Sequence, residues 1–186
     1  VTIDISSVSG GSAVENGTQQ ATLTITDDES APNVTLSSSS SSIAENAGSS
    51  VTLTATLSGA TYQDVTVSIS TSGTGTEGTD YATISDITIS AGSTTGTSSF
   101  TPTDDSVYEG NETGIAAISA VSGGGATENG TQTQTITITD NELTPTVTLS
   151  TSATTTAENS GGSLTLTATL STATTVSYTH LRAHET

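Results

Sequence analysis

Four carboxylates, Asp104, Asp105, Glu109 and Glu112, fall within nine residues in the stretch DDSVYEGNET, with no Lys or Arg near them. Like charge at that density costs folding energy by repulsion and lifts carboxyl pKa values unless something neutralises it. Neutralisation by side chains is closed off, because the 186-residue chain carries 19 acids against a single basic residue, a formal net charge of −18. A hard divalent cation is the chemistry that answers the need. Calcium takes about six to eight oxygen ligands and tolerates irregular loops, whereas magnesium demands tighter octahedral geometry. Zinc would want His and Cys; the chain has no Cys, and both His lie in its last ten residues. Taken alone, one acidic loop is equally an ordinary solvated turn, so the elements that position it have to decide.

The same composition excludes other chemistries. A net charge of −18 repels phosphate backbones and anionic headgroups, so neither nucleic-acid binding nor membrane insertion is expected of this segment. No stretch reaches the roughly 18 apolar residues of a membrane span. With no Cys or Lys to serve as nucleophile or base, and aromatics at 3% offering no sugar platform beside the carboxylates, no enzymatic role is expected. The last ten residues, SYTHLRAHET, hold the only Arg and both His. They resemble the translated read-through of a sequencing-library adapter and are set aside as a non-native tail, residues 177–186. The chain starts without Met or signal peptide and reads as a piece of something longer.

An internal repeat supplies the organisation. VSGGSAVENGTQ at Val8 returns as VSGGGATENGTQ at Val121, and AENAGSSVTLTATLS at Ala44 returns at the same offset as AENSGGSLTLTATLS at Ala157. The expectation is a window on a tandem array with a period of about 113 residues: 1–30 the C-terminal part of one repeat, 31–143 a complete repeat, 144–176 the N-terminal part of another. Within the complete repeat, period-2 alternation predicts seven strands, at 33–38 continuing past a serine run to 43, then 51–58, 64–71, 84–90, 97–103, 114–121 and 133–140. The serine run, 37–42, marks a crossover of the first strand. Thr and Ser cover the outward faces. Seven strands in this length predict an all-β, immunoglobulin-like antiparallel sandwich.

In such a sandwich successive connections alternate between the two ends. The connections after the first, third and fifth strands, and the exit from the seventh, then share one end. That end collects Glu45, Glu77, Asp80, Asp104, Asp105, Glu109, Glu112, Asp140 and Glu142, nine of the repeat's twelve carboxylates. Asp64, Asp86 and Glu128 fall elsewhere, Glu128 as a polar turn residue. Asn33-Val-Thr, Asn111-Glu-Thr and Asn129-Gly-Thr match the glycosylation pattern, as a Thr-rich chain does by chance.

DDSVYEGNET at Asp104, GTDY at Gly78, IAENAG at Ile43 and ITDNE at Ile138, in that spatial company, resemble a Calx-beta domain, a family found in sodium-calcium exchangers, integrin β4 and bacterial surface proteins. The resemblance covers the complete repeat and both partial copies. It implies a calcium site held by Glu45, Asp80, Asp104, Asp105, Glu109, Glu112 and Asp140, with the backbone carbonyl of Val107. Ser106 and Asn141 stand where calcium-loaded relatives often carry Asp, which implies weak or absent binding of one of the adjacent ions. The expected function is a calcium-rigidified stalk repeat of a large secreted or cell-surface protein of adhesin type. Its expected partners are calcium ions, neighbouring repeats and, through other parts of the parent protein, a cell-surface or matrix receptor. A calcium-sensing regulatory module of exchanger type, or a sandwich that binds carbohydrate or another ligand through its loops, are the alternatives.

Overall fold

Alternation of Val, Ile and Leu with Thr and Ser needs sheets with one dry face and one wet face, and the computed structural model has two of them packed together. It describes residues 1–26, 28–159 and 161–174; the tail at 177–186 lies outside the described residues. The chain divides into two units, Val1–Ala31 and Pro32–Thr186. In the first, β1 (Thr2–Asp4) and β2 (Gln20–Thr22) pair antiparallel, with Ile3 opposite Ala21.

The second unit contains β3 (Asn33–Ser38), β4 (Ser42–Ala44), β5 (Val51–Leu57), β6 (Val65–Gly73), β7 (Ile87–Ile89), β8 (Thr95–Phe100), β9 (Glu112–Ser122), β10 (Thr127–Glu128) and β11 (Thr133–Thr139). After them come β12 (Val147–Thr151) and β13 (Leu166–Leu170). One sheet has the order β10-β3-β5-β8 and the other β4-β11-β9-β6-β7. Val34, Leu36 and Leu53 from the first sheet meet Val65, Val67 and Ile136 from the second in one buried cluster, so the fold is an all-β sandwich. The serine run does carry the chain across: β3 lies in one sheet and β4 in the other, where β4 runs parallel to β11. Pairing is antiparallel apart from this contact and the parallel β10–β3 pair. Both parallel additions occupy sheet edges, where unpaired backbone would otherwise invite association.

Two expected strands shift, and one strand is new. The strand expected at 84–90 shrinks to β7, because Asp86 turns its carboxylate to β6, taking hydrogen bonds from Ile69 N at 3.0 Å and Ser68 Oγ at 2.9 Å. Those bonds sit at the register shift between Ser68 and Ile69, where the ladder with β9 slips; the carboxylate serves an amide that a bulge exposes. The strand expected at 97–103 runs instead from Thr95 to Phe100, ahead of Pro102, which has no N–H for a ladder. The short β10 was not expected, since two residues carry no periodicity.

Tyr81, next to Asp80, stacks on Phe100, the last residue of β8, with ring centroids 4.7 Å apart and planes at 26°. Both rings are fully buried, so two acid-bearing connections are anchored to the core by aromatic packing. Gly114 makes room for them: a Cβ there would lie 2.4 Å from Phe100 Cε2.

Contacts recur at the sequence period. Val34 opposes Leu57 in β3–β5, and one period later Val147 opposes Leu170 in β12–β13. Likewise Ile3 opposes Ala21, as Ala116 opposes Gln134 between β9 and β11. The turn bond from Gln132 N to Glu128 Oε1, 2.6 Å, has its counterpart from Gln19 N to Glu15 Oε1, also 2.6 Å. Burial does not recur: Val147 is 63% exposed and Leu166 66%, where Val34 and Leu53 are 0%. In the complete repeat those faces are covered by the second sheet.

Gly114→Ala should therefore destabilise the sandwich by about 1–3 kcal/mol, the usual cost of overpacking a dense core, in urea unfolding of the full chain. A variant as stable as the parent would show that the aromatic pair yields freely and does not fix the acid-bearing connections.

Candidate metal centre

Each acidic residue of the site hangs from a connection that the sandwich brings to one end. Glu45 follows β4, Asp80 lies between β6 and β7, Asp105 and Glu109 lie between β8 and β9, Glu112 opens β9, and Asp140 and Glu142 follow β11. Glu45, Asp80, Asp105, Glu109, Glu112 and Asp140 line one narrow cleft. Two groups form around it, Glu45 with Asp140 and Glu142, and Asp80 with Glu109 and Glu112; of these six only Glu142 lies outside the cleft's lining. In each group one oxygen per residue lies within 4.8 Å of the others.

Asp140 is the best-held carboxylate. Oδ2 accepts from Glu109 N at 2.8 Å and from Gly110 N, and Oδ1 accepts from Glu142 N at 2.8 Å. Asn111 Oδ1 in turn accepts from Asp140 N. Burial alone would raise the Asp140 carboxyl, but these amides outweigh it and hold it below its ordinary value. Its neighbours go the other way. Desolvation, then repulsion from Asp80 and a carboxyl hydrogen bond with it, push Glu112 up to about 7. Glu142 is pushed up to about 7 by desolvation, the hydrogen bond with Asp140 and the charges of Glu45, Asp140 and Asp104. Desolvation leads for Glu45 and Glu109 too, with the surrounding carboxylates adding to it; the Asp105 amide, donating to Glu45 Oε1 at 2.9 Å, offsets part of the rise at Glu45.

Of the residues expected as ligands, Glu45, Asp80, Glu109, Glu112 and Asp140 fall in the two groups. Asp105 lines the cleft between them, and its Oδ1 is taken by Val107 N at 2.7 Å. Asp104 lies in neither group; with Glu45 it borders an adjacent hollow beside Asn46 and Pro102. Val107 does not line the cleft. Glu142 was placed at this end by connection parity yet left out of the ligand set, and the structure puts it in the first group; its place in ITDNE, two residues after Asp140, was the available signal. Glu77 goes elsewhere: its carboxylate accepts from Thr71 Oγ1 at 2.6 Å and Ile84 N at 2.9 Å. The two Asn side chains of the glycosylation patterns at 33 and 111 accept hydrogen bonds from Thr127 Oγ1 and Asp140 N.

The donor set is all oxygen, which suits a hard cation and not a thiolate or imidazole metal. One atom shows how crowded the oxygens are. Glu142 Oε2 is buried and no donor among the described residues reaches it. An oxygen in that state, faced by other carboxylates, has to carry a proton or face a cation.

The Calx-beta domain family model matches residues 27–142. Among solved structures, the chain is similar to the apo-form Calx CBD1 domain at 18% identity and a TM-score of 0.49, covering 59% of this chain and 98% of that one. It is similar to CBD12 from CALX1.2 at 19% identity and a TM-score of 0.50, covering 58% of this chain and 44% of that one, less than half its length. No curated protein matches.

The raised carboxyls predict a pH dependence without metal. Folded, Glu112 and Glu142 keep their protons to about pH 7; unfolded, they lose them near 4.5. Between those values the folded chain binds more protons, so stability falls as pH rises. Asp140 acts oppositely, but its contribution is complete above its ordinary 3.8. Thermal melts in chelator should give a higher midpoint at pH 5 than at pH 8, with Glu112→Gln flattening the slope. A midpoint that climbs over this range would contradict the crowded-carboxylate geometry.

Proposed function

The chain belongs to the Calx-beta domain family, and from that premise we propose that its complete repeat binds calcium and serves as a rigidified unit in a tandem stalk of a large secreted or cell-surface protein of adhesin kind. The observation that carries the reading is the pair of carboxylate groups at one cleft, with Glu142 Oε2 beside it buried and without a donor among the described residues. Glu45, Asp140 and Glu142 would hold an ion on one side and Asp80, Glu109 and Glu112 on the other, with Asp105 between and Asp104 alongside. Bound calcium supplies the positive charge that the chain itself lacks. The protein's part is positional. Asp140, clamped by three amides, keeps its charge and its orientation, and the Tyr81–Phe100 stack holds the loops that present Asp80 and Asp105.

The array reading has support in the recurrence of strand register and turn hydrogen bonds at the sequence period. Residues 1–30 would close one copy, 31–143 form the whole one, and 144–176 begin the next. Extracellular modules bind calcium at about 10⁻⁴ to 10⁻³ M, and a site at ten times its dissociation constant adds roughly 1.4 kcal/mol. In a sandwich whose inward positions are mostly Val, Ile, Leu and Ala, that is a sizeable share of a marginal stability. Faces of Ser and Thr, and a repeat with no His, Cys or Lys, suit a spacer and offer no catalytic group beyond the carboxylates of the cleft.

The test is calorimetric titration of the full chain with calcium, alongside melts. Binding should raise the midpoint by several degrees, and Glu45→Gln with Asp80→Asn, one residue from each group, should weaken binding at least tenfold. No heat and no shift with the parent protein at millimolar calcium would reject the reading.

A further inference from the structure

The loop between β8 and β9 reaches beyond its own repeat. Tyr108 N donates to Ala173 O at 3.3 Å, and Tyr108 and Thr174 form a parallel bridge. Ala173 and Thr174 belong to the turn that leaves β13, whose hairpin with β12 keeps the register of β3 and β5. One period earlier they correspond to Ala60 and Thr61, the same two residue types in the turn after β5. The amides of the loop divide between two destinations. Val107 N goes to Asp105, Tyr108 N to the following copy, and Glu109 N and Gly110 N to Asp140. The amides on either side of Tyr108 thus tie the strip to carboxylates of the cleft, while the Tyr108 amide is spent on Ala173.

We propose that this strip is the repeat-to-repeat joint: the backbone at Tyr108 docks on the Ala-Thr turn of the following copy, and Ala60–Thr61 is the surface on which the corresponding loop of a preceding copy docks. Ala60 is exposed. The contact joins different surfaces of the two partners, so it is heterologous, and contacts of that kind propagate into open linear arrays. A joint of so few bonds is weak in isolation, and its rigidity depends on how firmly the strip is held. The strip is held by Asp105 and Asp140, members of the cleft; the joint's response to calcium therefore rests on the function proposed above, while its existence does not.

The chain has no Cys, so spin labels on Ser99→Cys and Thr154→Cys report the angle between the complete repeat and the β12–β13 hairpin in the full chain. The expected distance distribution is narrow in calcium and broad in chelator. Tyr108→Pro, which removes the donating N–H and no carboxylate, should lose the narrowing while calorimetry still shows calcium bound. Tyr108→Ala, which keeps the N–H, should retain it. A Tyr108→Pro variant that narrows like the parent, or a Tyr108→Ala variant that does not, overturns the assignment. Where Tyr108→Pro fails to bind calcium or to fold, amide exchange of the unsubstituted chain decides: the Tyr108 amide should exchange much more slowly than that of exposed Ser106, and equal rates overturn the joint. A parent that binds no calcium but protects the Tyr108 amide sinks the calcium reading and leaves the joint standing.

Discussion

The acid end of this sandwich is governed by repulsion between carboxylates held closer together than their charges favour. Glu45, Asp140 and Glu142 approach within 4.8 Å, as do Asp80, Glu109 and Glu112, with no Lys anywhere in the chain and its one Arg in the tail. The fold can bring them there only because something else holds the loops. Part of that is the stacked pair of Tyr81 and Phe100 over Gly114, and part is the set of amides aimed at Asp140. The amides relieve Asp140 and leave the others in need of a proton or a cation, which is why Glu112 and Glu142 sit near 7 while Asp140 stays low.

The other acids of the repeat show what a carboxylate does when its surroundings are satisfied. Asp64 takes the Ala91 amide, Asp86 the bulge amide of Ile69, Glu77 the Ile84 amide and Glu128 the Gln132 amide. Each ties down a backbone donor that a turn or an irregularity leaves without a ladder partner. Charge alone does not distinguish these from the cleft residues, and neither does an amide, since Asp140 and Glu45 hold amides too; the close approach of carboxylate to carboxylate does. A carboxylate whose only close partners are donors is a structural brace, and one crowded by other carboxylates is left in need of a proton or a cation.

The repeat period links the two levels. The register of β3–β5 returns in β12–β13, and the loop carrying Tyr108 meets the Ala-Thr turn after that second hairpin. One strip of backbone therefore serves both the carboxylate cleft, through Glu109 N and Gly110 N, and the contact with the second hairpin, through Tyr108 N.

Much of this was readable in the residues. Alternation located the strands of the complete repeat to within a few residues, since a half-buried strand has to change face at every residue. Connection parity gathered the acids at one end, because antiparallel neighbours force alternate turns together. Composition, with its missing cations and soft ligands, set the kind of chemistry. What the tertiary structure alone decided was which of the gathered acids face one another. Glu142 joined the first group and Glu77 left for the Ile84 amide; Asp104 turned to a neighbouring hollow, and the strand around Asp86 gave way to a bulge brace. Those outcomes depend on where single amides point in three dimensions. A linear pattern of charge and hydropathy places a residue on a loop, but the direction of its carboxylate is set by donors from segments distant in sequence, as Glu109 and Gly110 set that of Asp140.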